Sequence, residues 1–373
     1  TRQWRGGGLF KWRQFQLGFI LISLSSLVNK DDPCRRTVDL LWFPTGGGKT
    51  EAYLGLTAIG IFYRYLTEEN PARTSVIMRY TLRLLASQQF SRACALICAC
   101  DTIRGEDDAL KLKPRITIGL WIGGRSRDNP EGLPNKIRGR ESAEDIVKKL
   151  NSSKTHQVHP FQPETCPKCG RKIYDVGQKH RSGYDVSGND FSVFCQNPDC
   201  DYHRRNGDGM PVQIIDECLY REPPTLLFGT VDKFAQLSHR DLSAKFMGLE
   251  NGERVNPAPD LIIQDELHLI SEELGTLVAL YETAVSGLCT TCGGSAPKVV
   301  ASTATVRRAY EQCSALFAAE HVAQFPPPGL DAKDSYFSKE SNADGRMYLG
   351  LESSGQTTST TLIRLMAMLL FRA

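Results

Sequence analysis

The sequence predicts an α/β fold, a central parallel sheet flanked by helices with one cysteine-bearing insertion. Three observations carry that expectation. Val38 to Trp42 is an apolar run that leads into the glycine-rich turn Phe43-Pro44-Thr45-Gly46-Gly47-Gly48-Lys49-Thr50. Apolar residues at near-helical spacing follow from Glu51 to Leu66. A second apolar run, Asp260 to Gln264, delivers the paired acids Asp265-Glu266. The alternation of strand and helix patterns lapses only between Gly124 and about Pro211, where cysteines stand at metal-ligand spacing.

At 373 residues the chain has room for two compact domains, or for one large domain with an insertion. A net charge of +3 does not by itself announce a nucleic-acid binder, so any such contact is expected from a local stripe. The chain begins at Thr1 rather than Met and is expected to be an excerpt of a longer protein. Leu17 to Val28, about a dozen mostly apolar residues, is too short to span a bilayer. Lys11 and Arg13 before it give the outline of a signal-peptide core, but the run leads into a strand and a buried helix is favoured. Leu362 to Phe371 is shorter and interrupted by Arg364, so no membrane segment is expected. Twelve cysteines in a chain of this size fit a reducing cytoplasm better than a disulfide framework. Cys34, Cys94, Cys98, Cys100, Cys218 and Cys313 lack ligand spacing and read as small buried hydrophobes.

The glycine-rich turn reads as a phosphate-binding loop. Glycines let successive backbone N–H groups turn inward at a helix N-terminus. Lys49 would reach the β- and γ-phosphates of ATP, and the Thr50 hydroxyl would bind Mg²⁺. The strict pattern G-x-x-x-x-G-K-[ST] fails because Phe43 stands at the first glycine. A turn with a chance lysine is the plain alternative; the order strand, loop, helix favours the phosphate loop. Its form, Pro-Thr-Gly-x-Gly-Lys-Thr, resembles that of superfamily 2 helicases.

Upstream, Trp12-Arg13-Gln14-Phe15-Gln16 resembles the segment with which such enzymes read adenine, since an amide offers a donor and an acceptor to the N6/N7 edge. Ser75 to Phe90 reads as strand, polar loop and helix. Arg79, Thr81, Arg83 and Gln88 there are candidate nucleic-acid backbone contacts, with solvated helix charges as the alternative for Arg79, Arg83 and Arg92. Ile116 to Trp121 reads as a strand ending in Gly123 and Gly124, a paired-glycine element. Thr225 to Phe234 is another strand-to-helix junction, with Thr230 and Lys233 as candidate phosphate contacts.

Asp265 would hold Mg²⁺ and Glu266 would orient and deprotonate the attacking water. His268 would link the nucleotide site to the nucleic-acid side. Lys298 to Thr305 reads as a strand ending in Ser302-Thr303-Ala304-Thr305, and the hydroxyls of Ser302, Thr303 and Thr305 would couple hydrolysis to strand movement.

Within the insertion, Arg125 to Gly139 reads as a basic loop and Glu141 to Leu150 as a short helix. Cys166-x₂-Cys169 and Cys195-x₄-Cys200 then give two turns one zinc-ribbon length apart. A closed four-thiolate site has no open position, so Zn²⁺ there would be structural. His203 is a possible substitute ligand, and the insertion shows no obvious apolar core of its own. The basic residues Lys168, Arg171, Lys172, Lys179, His180, Arg181, Arg204 and Arg205 read equally as a solvated face or a DNA-guiding surface. Cys289 and Cys292 form a further C-x₂-C turn without a partner pair, explained by a turn before the last strand.

On these segments, together with Phe15-Gln16-Leu17-Gly18-Phe19-Ile20, Glu51-Ala52-Tyr53-Leu54-Gly55, Leu267-His268-Leu269-Ile270-Ser271 and Phe325-Pro326-Pro327-Pro328-Gly329-Leu330-Asp331, the chain resembles the helicase-subunit (DrmA) family of DISARM anti-phage systems. The resemblance covers the chain from about residue 12 onward. It implies a RecA-like P-loop NTPase lobe over residues 1–124 and 211–330, the zinc-ribbon-like insertion over 125–210, and a connector over 331–373. It further implies an ATP-driven DNA translocase, a DUF1998-type partner (DrmB), and a second RecA-like lobe of the same polypeptide, without which hydrolysis would be weak. The competing expectation is a DNA- or partner-binding module in which nucleotide acts as a switch.

Overall fold

A computed structural model describes residues 11–372 apart from 45, 82, 125–131, 154, 156, 176–181, 239–240, 271, 305–307, 328, 331–333, 340–346 and 348. The elements run α1 (Gln14–Val28), β1 (Val38–Trp42), α2 (Lys49–Thr67), β2 (Val76–Tyr80), α3 (Arg83–Glu106), β3 (Ile118–Trp121) and α4 (Ala143–Ser152). They continue β4 (Tyr184–Ser187), β5 (Asp190–Val193), β6 (Val212–Gln213), α5 (Asp216–Arg221), β7 (Leu226–Thr230), β8 (Leu249–Glu250), β9 (Glu253–Arg254) and β10 (Leu261–Gln264). The remainder are α6 (Glu272–Thr290), β11 (Lys298–Thr303), α7 (Ala309–Phe317), β12 (Val322–Phe325), β13 (Asp334–Ser335), β14 (Ser338–Lys339) and α8 (Thr358–Arg372).

Eight strands form one sheet in the order β12-β1-β11-β10-β2-β7-β3-β6, each adjacent pair parallel. A parallel sheet covered on both faces needs apolar residues on both, which is why β2, β7 and β10 are buried throughout. The loops that leave the C-terminal ends of β1, β11, β10 and β2 gather at one edge, the usual place for a ligand in such a sheet. Register sets them side by side: Leu41 lies opposite Ser302, Gln264 opposite Arg79, and Tyr80 opposite Thr230.

The run from Leu17 to Val28 lies within α1, with Phe19, Ile20 and Leu27 buried and Leu21 and Ile22 exposed. It packs along α2, where Gly55 admits Ile20 and Trp12: a Cβ there would lie 2.9 Å from each. No helix among the described residues is long and apolar enough to cross a membrane. The junction after β7 continues as a 3₁₀ segment, Val231–Ser238, rather than an α-helix.

Two expectations are corrected. The insertion does have an apolar core, because Phe161, Ile173, Tyr184 and Val193 are fully buried and Phe161 packs against Tyr184 and Phe191 at 5.0 Å between centroids. Aromatic residues spread over thirty positions converge only once the β4–β5 hairpin closes. Among the six cysteines read as buried hydrophobes, five are buried and Cys34 is exposed. The chain divides into two compact units, Thr1–Pro327, which includes the insertion, and Pro328–Ala373, which holds the β13–β14 hairpin and α8.

Candidate nucleotide-binding site

After β1 the backbone turns through Gly46 and Gly48, at φ 79° and 94°, into the N-terminus of α2. Only glycine adopts such angles without strain. A Cβ at Gly47 would strike the Phe43 ring and lie 2.9 Å from the Pro44 carbonyl. Phe43 in turn stacks on Phe15, centroids 3.9 Å apart and planes 8° from parallel. The segment before α1 clasps the loop: Arg13 Nη1 donates to the Gly47 carbonyl at 2.6 Å and Gln16 Nε2 to that of Gly48 at 2.8 Å. Gln16 Oε1 accepts from the Arg13 backbone N–H at 2.8 Å. Gln16 thus borders the nucleotide cleft with both ends of its amide engaged by protein. Thr45 lies outside the described residues.

Gly46, Gly48, Lys49 and Thr50 share one cleft of about 550 Å³ with Asp265 and Glu266, brought there by β10. Lys49 Nζ donates to the Phe43 carbonyl at 2.7 Å, and burial lowers its ammonium pKa against the opposing pull of Glu266 and Asp265. Asp265 is buried; its Oδ2 accepts from Tyr53 Oη at 2.7 Å and its Oδ1 from the Glu266 N–H at 3.0 Å. Glu266 sits in the left-handed region at φ 49°, ψ 48°, strain of the kind that gathers at functional sites. Burial and then Asp265 raise the Glu266 pKa, with Lys49 and His268 opposing. A carboxylate so placed accepts a proton more readily than a solvated one.

His268 Nδ1 lies 3.4 Å from both Glu266 Oε2 and Thr303 Oγ1, so the imidazole stands between the acidic pair and the end of β11. Ser302 is buried with its Oγ unbonded. Thr305 lies outside the described residues. The cleft fits a magnesium–triphosphate. Gly46, Gly48 and Lys49 line it at a helix start, where phosphate is favoured, and the hard oxygens of Thr50 and Asp265 suit Mg²⁺.

The candidate nucleic-acid contacts distribute differently. Arg79, Thr230 and Lys233 are 1%, 3% and 2% exposed, which removes them from any surface groove. Arg79 pairs with Glu282 of α6 and lies over the Phe234 ring; burial brings its pKa down to about 9, so it stays charged at neutral pH. Lys233 Nζ bonds Asp216 Oδ2 at 2.8 Å. The strand order puts these residues near the functional edge, but all three side chains are buried, Arg79 against Glu282 of α6 and Lys233 against Asp216 of α5. Gln88 is exposed, and Thr81, Gly123 and Gly124 are half-buried. The Gly124 backbone is packed tightly against the Asn135 side chain. The Arg83 side chain lies outside the description.

Sequence reasoning gave Tyr53 and Tyr80 no role at the site and weighed Arg92 only as a nucleic-acid backbone contact or a solvated helix charge. Tyr53, three residues after Thr50 on α2, shares its helix face, a spacing that could have found it. Arg92 of α3 borders the cleft and pairs with Glu51 at its mouth.

In the insertion, the sulfurs of Cys166, Cys169, Cys195 and Cys200 all lie within 4.8 Å of one another. Cys166 to Cys200 is 3.8 Å and Cys169 to Cys195 is 3.4 Å. A tetrahedron of thiolates about Zn²⁺ at ~2.3 Å has edges near ~3.8 Å, so the donor set fits that ion. Gly170, at φ 72°, closes the first turn with its N–H on the Cys166 carbonyl at 2.7 Å. His203 stays outside the cluster, its Nδ1 accepting from the Arg205 N–H at 3.2 Å. Part of the basic face is neutralised within the insertion, where Lys168 pairs with Asp201 and Arg204 with Asp185.

The sequence is 36% identical over 399 residues to the DISARM protein DrmA of Bacillus paralicheniformis, matching 96% of this chain. The chain is a relative of DrmA. It spans 35% of that DrmA's length. No family model matches the sequence. Among solved structures, the DUF1998 helicase MrfA bound to DNA is similar at TM-score 0.43 and 13% identity, over 86% of this chain and 26% of that one. Mycobacterium smegmatis helicase Lhr bound to ssDNA and AMP-PNP is similar at TM-score 0.45 and 14% identity, over the same shares.

Proposed function

We propose that this DrmA-like chain is the ATP-binding lobe of a superfamily 2 motor that couples ATP hydrolysis to movement along DNA in anti-phage defence. The observation that carries the reading is the meeting of the loop ending at Lys49-Thr50 with Asp265-Glu266 in one cleft, across more than two hundred intervening positions. In this reading the loop's N–H groups and Lys49 hold the phosphates, and Thr50 and Asp265 hold Mg²⁺. When bound, Mg²⁺ neutralises charge that develops on the phosphate oxygens. Glu266 orients the attacking water and takes its proton, helped by its raised pKa. His268 senses that carboxylate and passes its state to Thr303 on β11.

DNA would be held by its backbone rather than its sequence, through Gln88 and exposed cations of the insertion such as Arg171, Lys172 and Arg205. Zn²⁺ in the four-cysteine cluster would be structural. A cytoplasmic setting, a second RecA-like lobe in the same polypeptide and a DUF1998-type partner (DrmB) belong to the same proposal, as what the resemblance to the DISARM helicase subunit implies.

A second reading, a nucleotide-gated binding module, is favoured by the interior placement of Arg79, Thr230 and Lys233, which withdraws three candidate phosphate contacts. ATP turnover measured with and without single- and double-stranded DNA separates the two. The motor reading expects stimulation by DNA. Turnover indifferent to DNA, alongside DNA binding that changes with nucleotide, contradicts it and supports the switch.

A further inference from the structure

The buried carboxylate at the ATP site has a neighbour that the reading above leaves without a task. Tyr53 Oη lies 2.7 Å from Asp265 Oδ2, 3.1 Å from Thr50 Oγ1 and 3.0 Å from Tyr80 Oη. Tyr53 is fully buried and Tyr80 is 1% exposed. A phenol has one proton and two acceptor sites. An ionised carboxylate only accepts, so the Tyr53 proton goes to Asp265. The lone pairs of Tyr53 are then open to the hydroxyl protons of Thr50 and Tyr80. A Thr50 hydroxyl that turns its proton to Tyr53 presents its own lone pairs to the cleft, as a metal ligand must. One phenol thereby fixes both oxygen donors of the proposed Mg²⁺ site.

Tyr80 gives that arrangement a direction. It ends β2, and the next residue, Thr81, opens the loop read above as nucleic-acid facing. Its ring stacks on Phe228 of β7 with centroids 4.8 Å apart, so the hydroxyl is held by the sheet rather than by α2. Movement at the ends of β2 and β7 therefore bears on the Asp265 carboxylate through the Tyr80 hydroxyl, beside the backbone bond from the Asp265 N–H to the Arg79 carbonyl at 3.1 Å.

We propose that Tyr53 is a positioning residue for Mg²⁺, orienting Asp265 and Thr50 together, and that Tyr80 ties this pair to the end of β2. The inference rests on the ATP-site reading. It is tested by titrating Mg²⁺ against binding of a fluorescent, non-hydrolysable ATP analogue to the full chain, as wild type, Tyr53→Phe and Tyr80→Phe. Loss of a partner that orients a metal ligand typically weakens the metal by 10–100-fold, so Tyr53→Phe should raise the Mg²⁺ midpoint by roughly tenfold. Binding of the analogue without Mg²⁺ should be unchanged, which a general loss of fold would not give. Tyr80→Phe, which leaves the Asp265 donor in place, should raise the midpoint by a smaller factor. It also carries the test should Tyr53→Phe fail to fold. A midpoint unmoved in the variants that fold overturns the inference while leaving the ATP site intact. A wild-type chain that binds no analogue overturns the ATP-site reading and this inference with it.

Discussion

A guanidinium as deeply buried as that of Arg79 is held by its carboxylate partner, and truncating it strands Glu282 in an apolar layer. Breaking such a pair costs about 3–5 kcal/mol. Arg79→Ala is therefore expected to lower the denaturation midpoint sharply. The salt dependence of DNA binding, measured on folded variant, should be unchanged; a shallower salt slope would return Arg79 to the DNA surface. Phe43 makes a complementary case. Its ring fills the space under Gly47 and stacks on Phe15, so it joins the loop to the segment bearing Gln16. Phe43→Gly restores the strict phosphate-loop pattern yet should cost about 3–5 kcal/mol, as loss of a buried phenylalanine does. A variant as stable as wild type in urea would show that the stack contributes nothing. Such residues explain what the sequence could and could not disclose. Lys49, Asp265 and Glu266 were legible because their chemistry demands fixed neighbours along the chain. The burial of Arg79 and Lys233 was not, since Glu282 and Asp216 reach them only through the fold.

At the scale of elements, strands were readable wherever both faces are buried, because all but one residue of the run is then apolar. Val38–Trp42 and Leu261–Gln264 are of this kind. Helix starts were less so: α2 begins at Lys49, inside the residues of the phosphate loop, because the loop itself supplies the helix N-terminus. The insertion's core was hidden for a different reason. Phe161 lies in irregular chain and Tyr184 and Phe191 in strands of only four residues, too short to show a period, and the two cysteine turns and the β4–β5 hairpin bring them together. That packing makes a prediction about the metal. Purified chain should carry close to one Zn²⁺, and Cys195→Ser should lose it and become protease-sensitive within the insertion. Full zinc content in Cys195→Ser, or none in wild type, would remove the four-thiolate site.

For the whole molecule, the order of strands matters more than any one motif. Placing β11 between β1 and β10 sets the phosphate loop and the acidic pair one strand apart, with Ser302 and Thr303 between them. In the proposed motor, movement that nucleotide imposes on Glu266 would be felt first at β11, through His268. Coupling of this kind needs no long path, since the groups are already in contact. It also explains why motifs hundreds of residues apart in sequence could be matched to one site before their geometry was known. The most direct test of that shared site compares ATP binding with ATP turnover in Lys49→Ala and Glu266→Gln. Lys49→Ala should lose binding by tenfold or more, as expected for a charge-assisted contact of about 1.5–3 kcal/mol. Glu266→Gln should bind ATP as wild type does and fail to turn it over. Turnover at the wild-type rate in Glu266→Gln, or wild-type affinity in Lys49→Ala, would contradict the account.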